Sequence, residues 1–394
     1  MGEFSQNSMR IAIDLRCLAE GRRTGVEEYV TGLLRALFEQ DETNEYILFY
    51  NAWHGELPED FGWMLEYPNV SVKRLRIPNK LLNGLLWYMQ WPKIDLLCGG
   101  ADIFFMPNLN FAAISKNAKL VVTAHDLSFE AYPEMFSWKR RLWHFFVGFR
   151  GLCNRAALII AVSHSTKEDL VSYYRIPERR VTVIPSGLDK EFVRISRNDP
   201  ELLRVKEKYS LPYRYILFFG TFEPRKNIRS VIQAYETYRS SLGEKEFVPL
   251  VLSGSPGWNS EEIFREREAS PYRENIRLLG CIPDEDKHAL YNLATLFVYP
   301  SFYEGFGFPP LEAMACGVPT IVSRNSSFPE IVGEGAIMID PYQPDELYRA
   351  MISVLSDHAF AERLSREGEH QSKKYTWERT ASELTKMFRY VTGG

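Results

Sequence analysis

Residues 295–323, TLFVYPSFYEGFGFPPLEAMACGVPTIVS, decide the fold class. The first five form a short, continuously apolar run, which is typical of a strand buried on both faces. Pro309 and Pro310 bar a helix before about residue 309 but suit the first turn of one, and Gly317 ends it. A second apolar run covers 318–323. This strand–helix–strand unit predicts a parallel sheet and an α/β fold.

The same alternation continues along the chain. The apolar runs are 9–14, 46–50, 103–106, 119–124 and 157–162 in the first half, and 214–219, 248–253, 275–279 and 336–340 in the second. Between the two series, residues 191–212 are charged and have no strand pattern, so we expect the connection between domains there. We therefore predict two doubly wound domains, 9–190 and 213–375, that face each other across a cleft.

Composition excludes several classes of protein. The 394 residues include 47 Lys or Arg and 51 Asp or Glu, for a net charge of −4, and 45% are apolar. This is the balance of an ordinary globular protein, with no footprint for nucleic acid. The five cysteines form no CxxC pair and no Cys/His cluster. That excludes a disulfide scaffold and a structural zinc site, and it suits a reducing compartment.

The start of the chain predicts a cytoplasmic protein. Residues 1–8 (MGEFSQNS) are polar and patternless, and we interpret them as an artificial extension ahead of Met9. No signal peptide follows, and no apolar run reaches the ~20 residues that a membrane span needs.

Two carboxylates flank the glycines and prolines of the deciding stretch. Seven residues separate Glu304 from Glu312, so Glu304 lies in the loop after a strand and Glu312 in the first or second turn of the next helix. A carboxylate accepts two hydrogen bonds, which suits vicinal sugar hydroxyls. The alternative is a pair of exposed glutamates. The glycines favour a ligand site because they free the backbone beside Glu304.

A second loop, after the strand 214–219, brings two cations to the start of a helix. Arg225 and Lys226 follow Gly220 by a few residues. A guanidinium, an ammonium and the N-terminal amides of a helix together form a diphosphate site without a metal. The alternative is a solvated Arg–Lys pair, which the strand-to-helix position disfavours.

Three further positions are weaker candidates. Gly25 opens the predicted helix 24–40, where it permits either a tight turn or the approach of an anion. His125 follows the strand 119–124 and is either structural or a ligand contact. Residues 284–286 (DED) match a metal-binding pattern, but they open a helix, where acids favour the dipole, so we predict no metal there.

At these residues the chain resembles family 4 of the glycosyltransferases, a retaining family with the GT-B fold of two Rossmann-like domains, and within it the mannosyltransferase-B-like branch. The segments that carry the resemblance are HDLSFEAYPE (125–134), IIAVSHSTKEDL (159–170), VIPSGLD (183–189), FGTFEPRKN (219–227) and the stretch 301–323. The last two, in this order and at this separation, are highly specific.

The resemblance implies that the second domain binds the diphosphate of a nucleotide-sugar donor. Arg225 and Lys226 would hold the phosphates, in the loop that begins at Gly220. Many relatives have Arg directly after that glycine, whereas this chain has Thr221. Arg225 would then do the work of that arginine alone, and Gly220 and Thr221 stay among the expected donor-binding residues.

The resemblance also assigns the remaining donor contacts. Glu304 would contact the hydroxyls of the donor sugar, beside the backbone amides of Phe306 and Gly307, while Glu312 would hold the ribose. His125 would reach the donor hexose from the first domain, where Gly25 would lie near the phosphates. Here His125 and Glu304 are the expected catalytic residues.

The implied activity is metal-independent, retaining transfer of a hexose from a UDP-hexose or from GDP-mannose to a glycan or lipid-linked glycan. Glucose and mannose are the favoured sugars, and no cofactor is expected. Two alternatives stay open: a glycoside hydrolase that uses Glu304 and Glu312, and a non-catalytic sugar-binding protein. No nucleic-acid partner is expected.

Two further predictions concern membrane contact by residues 136–155 and the packing of the last helix. Residues 136–155 mix aromatic with basic side chains, which predicts peripheral contact with a membrane. The alternative is a stripe that faces the sheet, formed by Trp138, Leu142, Phe145, Phe149 and Leu152. The resemblance further implies that a final helix, 376–392, packs back onto the first domain.

Overall fold

The structure is a computed structural model that describes residues 8–20, 25–53, 58–243 and 246–393. It divides into two units: unit 1 contains the chain up to Pro133, Ser137–Gly187 and the chain from Tyr375, and unit 2 contains Glu134–Phe136 and Leu188–Lys374. The interpretation of residues 1–8 as an artificial extension lies outside the described residues, apart from Ser8.

Unit 1 is built on a seven-stranded parallel sheet in the order β3-β2-β1-β4-β5-β6-β7. The strands are β1 (Arg10–Asp14), β2 (Glu45–Asn51), β3 (Val70–Leu75), β4 (Ile103–Met106), β5 (Lys119–Ala124), β6 (Leu158–Ala161) and β7 (Val181–Val183). The five central strands confirm the predicted apolar runs. The two edge strands escape the pattern, because β3 alternates exposed with half-buried residues and β7 has only three residues.

Unit 2 is built on a six-stranded parallel sheet in the order β10-β9-β8-β11-β12-β13. The strands are β8 (Ile216–Phe219), β9 (Leu250–Ser253), β10 (Ile276–Gly280), β11 (Leu296–Tyr299), β12 (Thr320–Ser323) and β13 (Ile337–Ile339). Each of them coincides with a predicted apolar run, although β10 extends one residue beyond its run, to Gly280. Both units are therefore Rossmann-like, as the sequence predicts.

Helices cover the sheets. In unit 1 they are α1 (Gly25–Gln40), α2 (Asn79–Gly84), α3 (Ile94–Leu97), α4 (Ser128–Ala131), α5 (Trp138–Val147), α6 (Phe149–Arg155), α7 (His164–Tyr174) and, late in the chain, α16 (Trp377–Thr392). In unit 2 they are α8 (Pro200–Lys208), α9 (Ile228–Leu242), α10 (Glu261–Ala269), α11 (Asp284–Leu293), α12 (Phe308–Ala315), α13 (Phe328–Val332), α14 (Pro344–Ser356) and α15 (His358–Ser372). No helix within the described ranges is both long and apolar enough to cross a membrane.

The two units are not simply the first and second halves of the chain, as two segments show. Residues 191–212, where the sequence places a connection, belong to unit 2 and contain α8. The last helix, α16, belongs to unit 1, where the Trp377 ring lies 5.8 Å from Tyr29 of α1. Its apolar residues Leu384 and Phe388 are buried, and the Phe388 ring lies 5.5 Å from Phe105 of β4. The final helix thus completes the core of unit 1.

Candidate functional site

The order of the strands in unit 2 selects one edge of the sheet as a ligand site. The chain winds in one direction from β8 and in the other from β11, and these two strands are neighbours. Ligands of doubly wound sheets bind beyond the carboxyl ends of the strands at such a switch point. The loops that leave β8 and β11 contain the predicted residues Arg225, Lys226 and Glu304.

Glu304 is buried between the two cations. Its Oε1 accepts hydrogen bonds from Lys226 Nζ at 2.6 Å and from Ser301 Oγ at 2.8 Å, and its Oε2 lies 3.0 Å from Arg225 Nη1. Burial by itself raises the pKa of Glu304, but the charges of Arg225 and Lys226 and the two hydrogen bonds outweigh it and lower that pKa to about 2. Glu304 is therefore a carboxylate at any physiological pH.

Both cations are fixed by further contacts. Arg225 Nη2 donates to Glu223 Oε1 at 2.8 Å, and Arg225 Nη1 donates to the backbone carbonyl of Tyr303 at 2.5 Å. Lys226 Nζ lies 5.2 Å above the ring of Tyr299, within cation–π range. Two cations and two carboxylates, Glu223 and Glu304, thus balance in one buried cluster. Preorganised charges of this kind can meet a charged ligand without a large rearrangement.

The backbone beside Glu304 requires glycine. Gly307 has φ +105° and stands directly before α12, and a Cβ there would lie 2.8 Å from the Phe328 ring. Phe306 is buried, and its ring lies 5.1 Å from that of Phe308. Any other residue at position 307 would be strained and crowded, so the loop holds one shape where the partial positive charge of a helix N-terminus begins.

Glu312 lies in the second turn of α12, as predicted, and its side chain is fully buried. It accepts a hydrogen bond from Lys287 Nζ and another from the Tyr291 hydroxyl at 2.6 Å. Sequence reasoning missed both partners, which lie one turn apart on α11. Their four-residue spacing puts them on one helix face, but only the packing of α11 against α12 shows that they meet Glu312.

The acidic run 284–286 has a structural role in this fold. Asp286 is buried and accepts from Arg204 Nη2 and from Lys208 Nζ, each at 2.6 Å, and from the Tyr209 hydroxyl at 2.7 Å. Burial raises the pKa of Asp286, but these hydrogen bonds lower it to about 2 overall. Asp286 therefore joins α11 to α8, and the described parts of the chain contain no His/Cys/Asp/Glu cluster that could hold a metal.

The other predicted residues lie in both units. In the loop after β8, the Gly220 amide donates to the Ser253 carbonyl at 3.0 Å, and Thr221 is half-buried. Gly25, in unit 1, is the exposed first residue of α1. His125, also in unit 1, follows β5 directly.

His125 is held in one tautomer. Its Nε2 lies 2.8 Å from the carbonyl of Pro107, and because a carbonyl only accepts, Nε2 carries the proton. Burial lowers the pKa of His125 below its usual 6.5, although the bond to Pro107 partly opposes this. The ring, 4.7 Å from that of Tyr29, is therefore neutral near pH 7, with Nδ1 as a hydrogen-bond acceptor.

Comparisons with known proteins agree on one family. The family described as "Glycosyltransferase Family 4" matches residues 23–192, and "Glycosyl transferases group 1" matches residues 200–371. The O-antigen chain mannosyltransferase B of Escherichia coli is 34% identical over 385 residues, which cover 93% of this chain and 96% of that protein.

Solved structures agree on the fold. Sucrose-phosphate synthase from Thermosynechococcus elongatus matches with a TM-score of 0.75 at 20% identity, over 98% of this chain and 99% of that one. Anabaena HepE, solved in complex with UDP-glucose, matches with a TM-score of 0.71 at 18% identity, over 96% and 99%. This chain belongs to glycosyltransferase family 4, and it is a glycosyltransferase of the GT-B fold.

Proposed function

We propose that the chain transfers a hexose, with retention and without a metal, from a nucleotide diphosphate sugar to a glycan or lipid-linked glycan in the cytoplasm. The observation that carries the proposal is the buried cluster of Arg225, Lys226 and Glu304 at the switch point of unit 2. No nucleic acid takes part.

The charges of this cluster suit the reaction. Breaking the anomeric C–O bond builds negative charge on the leaving nucleoside diphosphate and positive charge on the sugar ring. Arg225, Lys226 and the N-terminal amides of the adjoining helices offset the negative charge, which is the role that a divalent cation would otherwise fill. Glu304 stays ionised, so its free lone pairs accept hydrogen bonds from the hydroxyls of the donor sugar.

Two further residues complete the proposed donor contacts. Glu312 accepts from the ribose hydroxyls, in a site where Lys287 and Tyr291 already orient its carboxylate. His125 accepts from a hydroxyl of the hexose through Nδ1, because its Nε2 proton is engaged by Pro107. The acceptor hydroxyl attacks from the face that the nucleotide leaves, and the departing phosphate takes up its proton.

The relatives support a hexose donor without choosing the nucleotide. The Escherichia coli relative is named a mannosyltransferase, and the Anabaena structure holds UDP-glucose. We therefore propose GDP-mannose or UDP-glucose as the donor.

The glycoside hydrolase alternative conflicts with the electrostatics of the site. Such an enzyme needs one carboxyl group that is protonated near neutral pH, so that it can act as the general acid. The pKa of Glu304 is lowered to about 2 by its buried pairing with Arg225 and Lys226, so Glu304 does not suit proton donation to a glycosidic oxygen.

Radiolabelled sugar nucleotides test the proposal. The protein is incubated with GDP-mannose, UDP-glucose and other UDP-hexoses, an oligosaccharide or lipid-linked acceptor pool, and excess EDTA. We expect one donor to give labelled product with the α configuration retained, at an unchanged rate in EDTA. Activity that only Mn²⁺ or Mg²⁺ restores would overturn metal independence, and binding of sugar without transfer would favour the sugar-binding alternative.

A further inference from the structure

Two segments of unit 1, residues 67–94 and 137–157, expose many large apolar side chains. They include four of the eight tryptophans of the chain. The exposed side chains are Leu81, Trp87, Tyr88, Met89, Trp91, Trp138, Leu142, Trp143, Phe145 and Phe146. We call these ten side chains, with the exposed Lys139, Arg140 and Arg141 of α5, the basic aromatic surface. Large exposed apolar patches mark interaction sites on soluble domains.

Ring contacts join the two segments into one surface. The Trp87 ring lies edge-on to that of Phe146, with centroids 5.2 Å apart. Tyr88 lies 6.3 Å from Trp87, and Phe145 lies 5.7 Å from Phe146. Residues almost sixty positions apart in sequence thus form a continuous row of four rings.

Helix α5 is unusual because most of its large apolar side chains are exposed. Val147 is its only buried residue, whereas Phe145 is 78% exposed. The helix ends at Gly148, with φ +62°, so Phe149 and Leu152 turn into the core on α6. The stripe expected to face the sheet is therefore split: its α6 part is core, and its α5 part is exposed.

The positive charge of the two segments favours an anionic binding partner. The two segments contain ten Lys or Arg and no Asp or Glu, although the whole chain has a net charge of −4. A symmetric dimer would place the same patch on both sides of the interface, so these cations would face one another. An anionic lipid surface instead attracts every cation, and its headgroup region is where Trp and Tyr rings concentrate.

We propose that the basic aromatic surface binds an anionic membrane, with the rings of α5 and of the turn Leu85–Met89 in the headgroup region. This contact goes beyond sugar transfer and involves no residue of the proposed donor site. It places the enzyme on the leaflet where a lipid-linked acceptor would be exposed.

Vesicle flotation tests the proposal with two variants and two matched controls. Tyr88→Ser/Phe145→Ser removes the two most exposed rings of the row, and Lys139→Glu/Arg141→Glu reverses two exposed cations. The controls, Tyr390→Ser and Lys386→Glu, change exposed residues of α16. Vesicles contain phosphatidylcholine alone or with an equal amount of phosphatidylglycerol, at low and at high salt.

We expect the wild type and both controls to float only with phosphatidylglycerol, and less at high salt. Charge reversal lowers the affinity at least about twentyfold, because each surface cation contributes about fivefold. A wild type that does not float at low salt, or double variants that float like it, would overturn the proposal. The proposal would also be overturned if the wild type were a dimer that Tyr88→Ser/Phe145→Ser dissociates. Nucleotide binding, measured by calorimetry on each variant, reports separately on folding and on the donor site.

Discussion

The two units share a topology but use the carboxyl edge of the sheet differently. In unit 2 the switch point between β8 and β11 collects Arg225, Lys226 and Glu304 from two loops. In unit 1 the switch point lies between β1 and β4, and there the buried Arg16 pairs with Asp14 at 2.5 Å and donates to the backbone carbonyl of Phe111, in the loop after β4, at 2.6 Å. The same winding therefore offers a ligand site twice, and the residues placed there decide what each unit can bind.

The units also differ in how they are completed. Unit 1 depends on α16, so Trp377→Ala should have the largest effect, lowering the free energy of unfolding by ~3–5 kcal/mol through lost burial and a cavity. Thermal unfolding measures this loss. Tyr390→Ala, on the same helix but 67% exposed, is the control and should change stability by less than about 0.5 kcal/mol.

The packing of α16 allows a second, sharper measurement. A Cβ on Gly32 of α1 would lie 2.2 Å from the Trp377 ring. Gly32→Ala should therefore destabilise the wild type yet be tolerated in the Trp377→Ala background. Equal effects in both backgrounds would show that the two helices do not pack as described.

Glu304→Gln should have the next largest effect, because it removes the carboxylate charge that pairs with both Arg225 and Lys226. We expect the transfer rate to fall by about 10²–10³-fold. Asp286→Asn is the matched control, since Asp286 is also buried, also holds two cations and also has a pKa of about 2. It should cost stability while the remaining folded enzyme keeps its kcat. Equal losses of kcat would contradict a special role for the switch point.

Lys226→Ala should have a smaller effect. Loss of a charge-assisted hydrogen bond of ~1.5–3 kcal/mol weakens binding of UDP or GDP by about 10–100-fold, which isothermal calorimetry measures. Lys208→Ala removes a lysine that pairs with Asp286 and should leave nucleotide affinity unchanged. Wild-type affinity in Lys226→Ala would place the diphosphate elsewhere.

The smallest effect should be the loss of folding stability at low pH, which arises from two carboxylates of unit 2. Glu304 and Asp286 have folded-state pKa values of about 2, below their usual values near 4. Their stabilisation is therefore complete above about pH 5 and is lost as the pH falls towards 2, by ~1–2 kcal/mol for each group. Melting temperatures between pH 7 and pH 3 measure this loss. Glu304→Gln should flatten the curve, and an unchanged slope would contradict the buried pairing.

The sequence predicts the parts of this molecule that depend on local pattern. Buried parallel strands read as apolar runs, so all six strands of unit 2 were predictable, and the prolines before Leu311 locate the start of α12. The edge strand β3 was missed because Ser71 and Lys73 alternate with its apolar residues. The backbone break at Gly148, which separates α5 from α6, leaves no mark in the apolar spacing, so the sequence does not show that the stripe from Trp138 to Leu152 is divided.

The site was predictable in position but not in its contacts. Ligands of doubly wound sheets bind beyond the carboxyl ends of the strands, and Arg225, Lys226 and Glu304 follow such ends in the sequence. No sequence pattern marks Glu223 and Ser301 as partners of Arg225 and Glu304, and Lys287 reaches Glu312 only through tertiary packing. Residue identity therefore gives the chemistry of a site, whereas its electrostatic balance depends on neighbours that are distant in sequence.

The late position of α16 has a consequence for protein synthesis. Residues 188–374, almost all of unit 2, are made before Trp377, so unit 1 lacks its last helix until after the chain of unit 2 has been synthesised. During that interval Tyr29 and Gly32 of α1 lack their contacts with Trp377 of α16. A chain that stops before α16 therefore leaves this apolar face of α1 exposed.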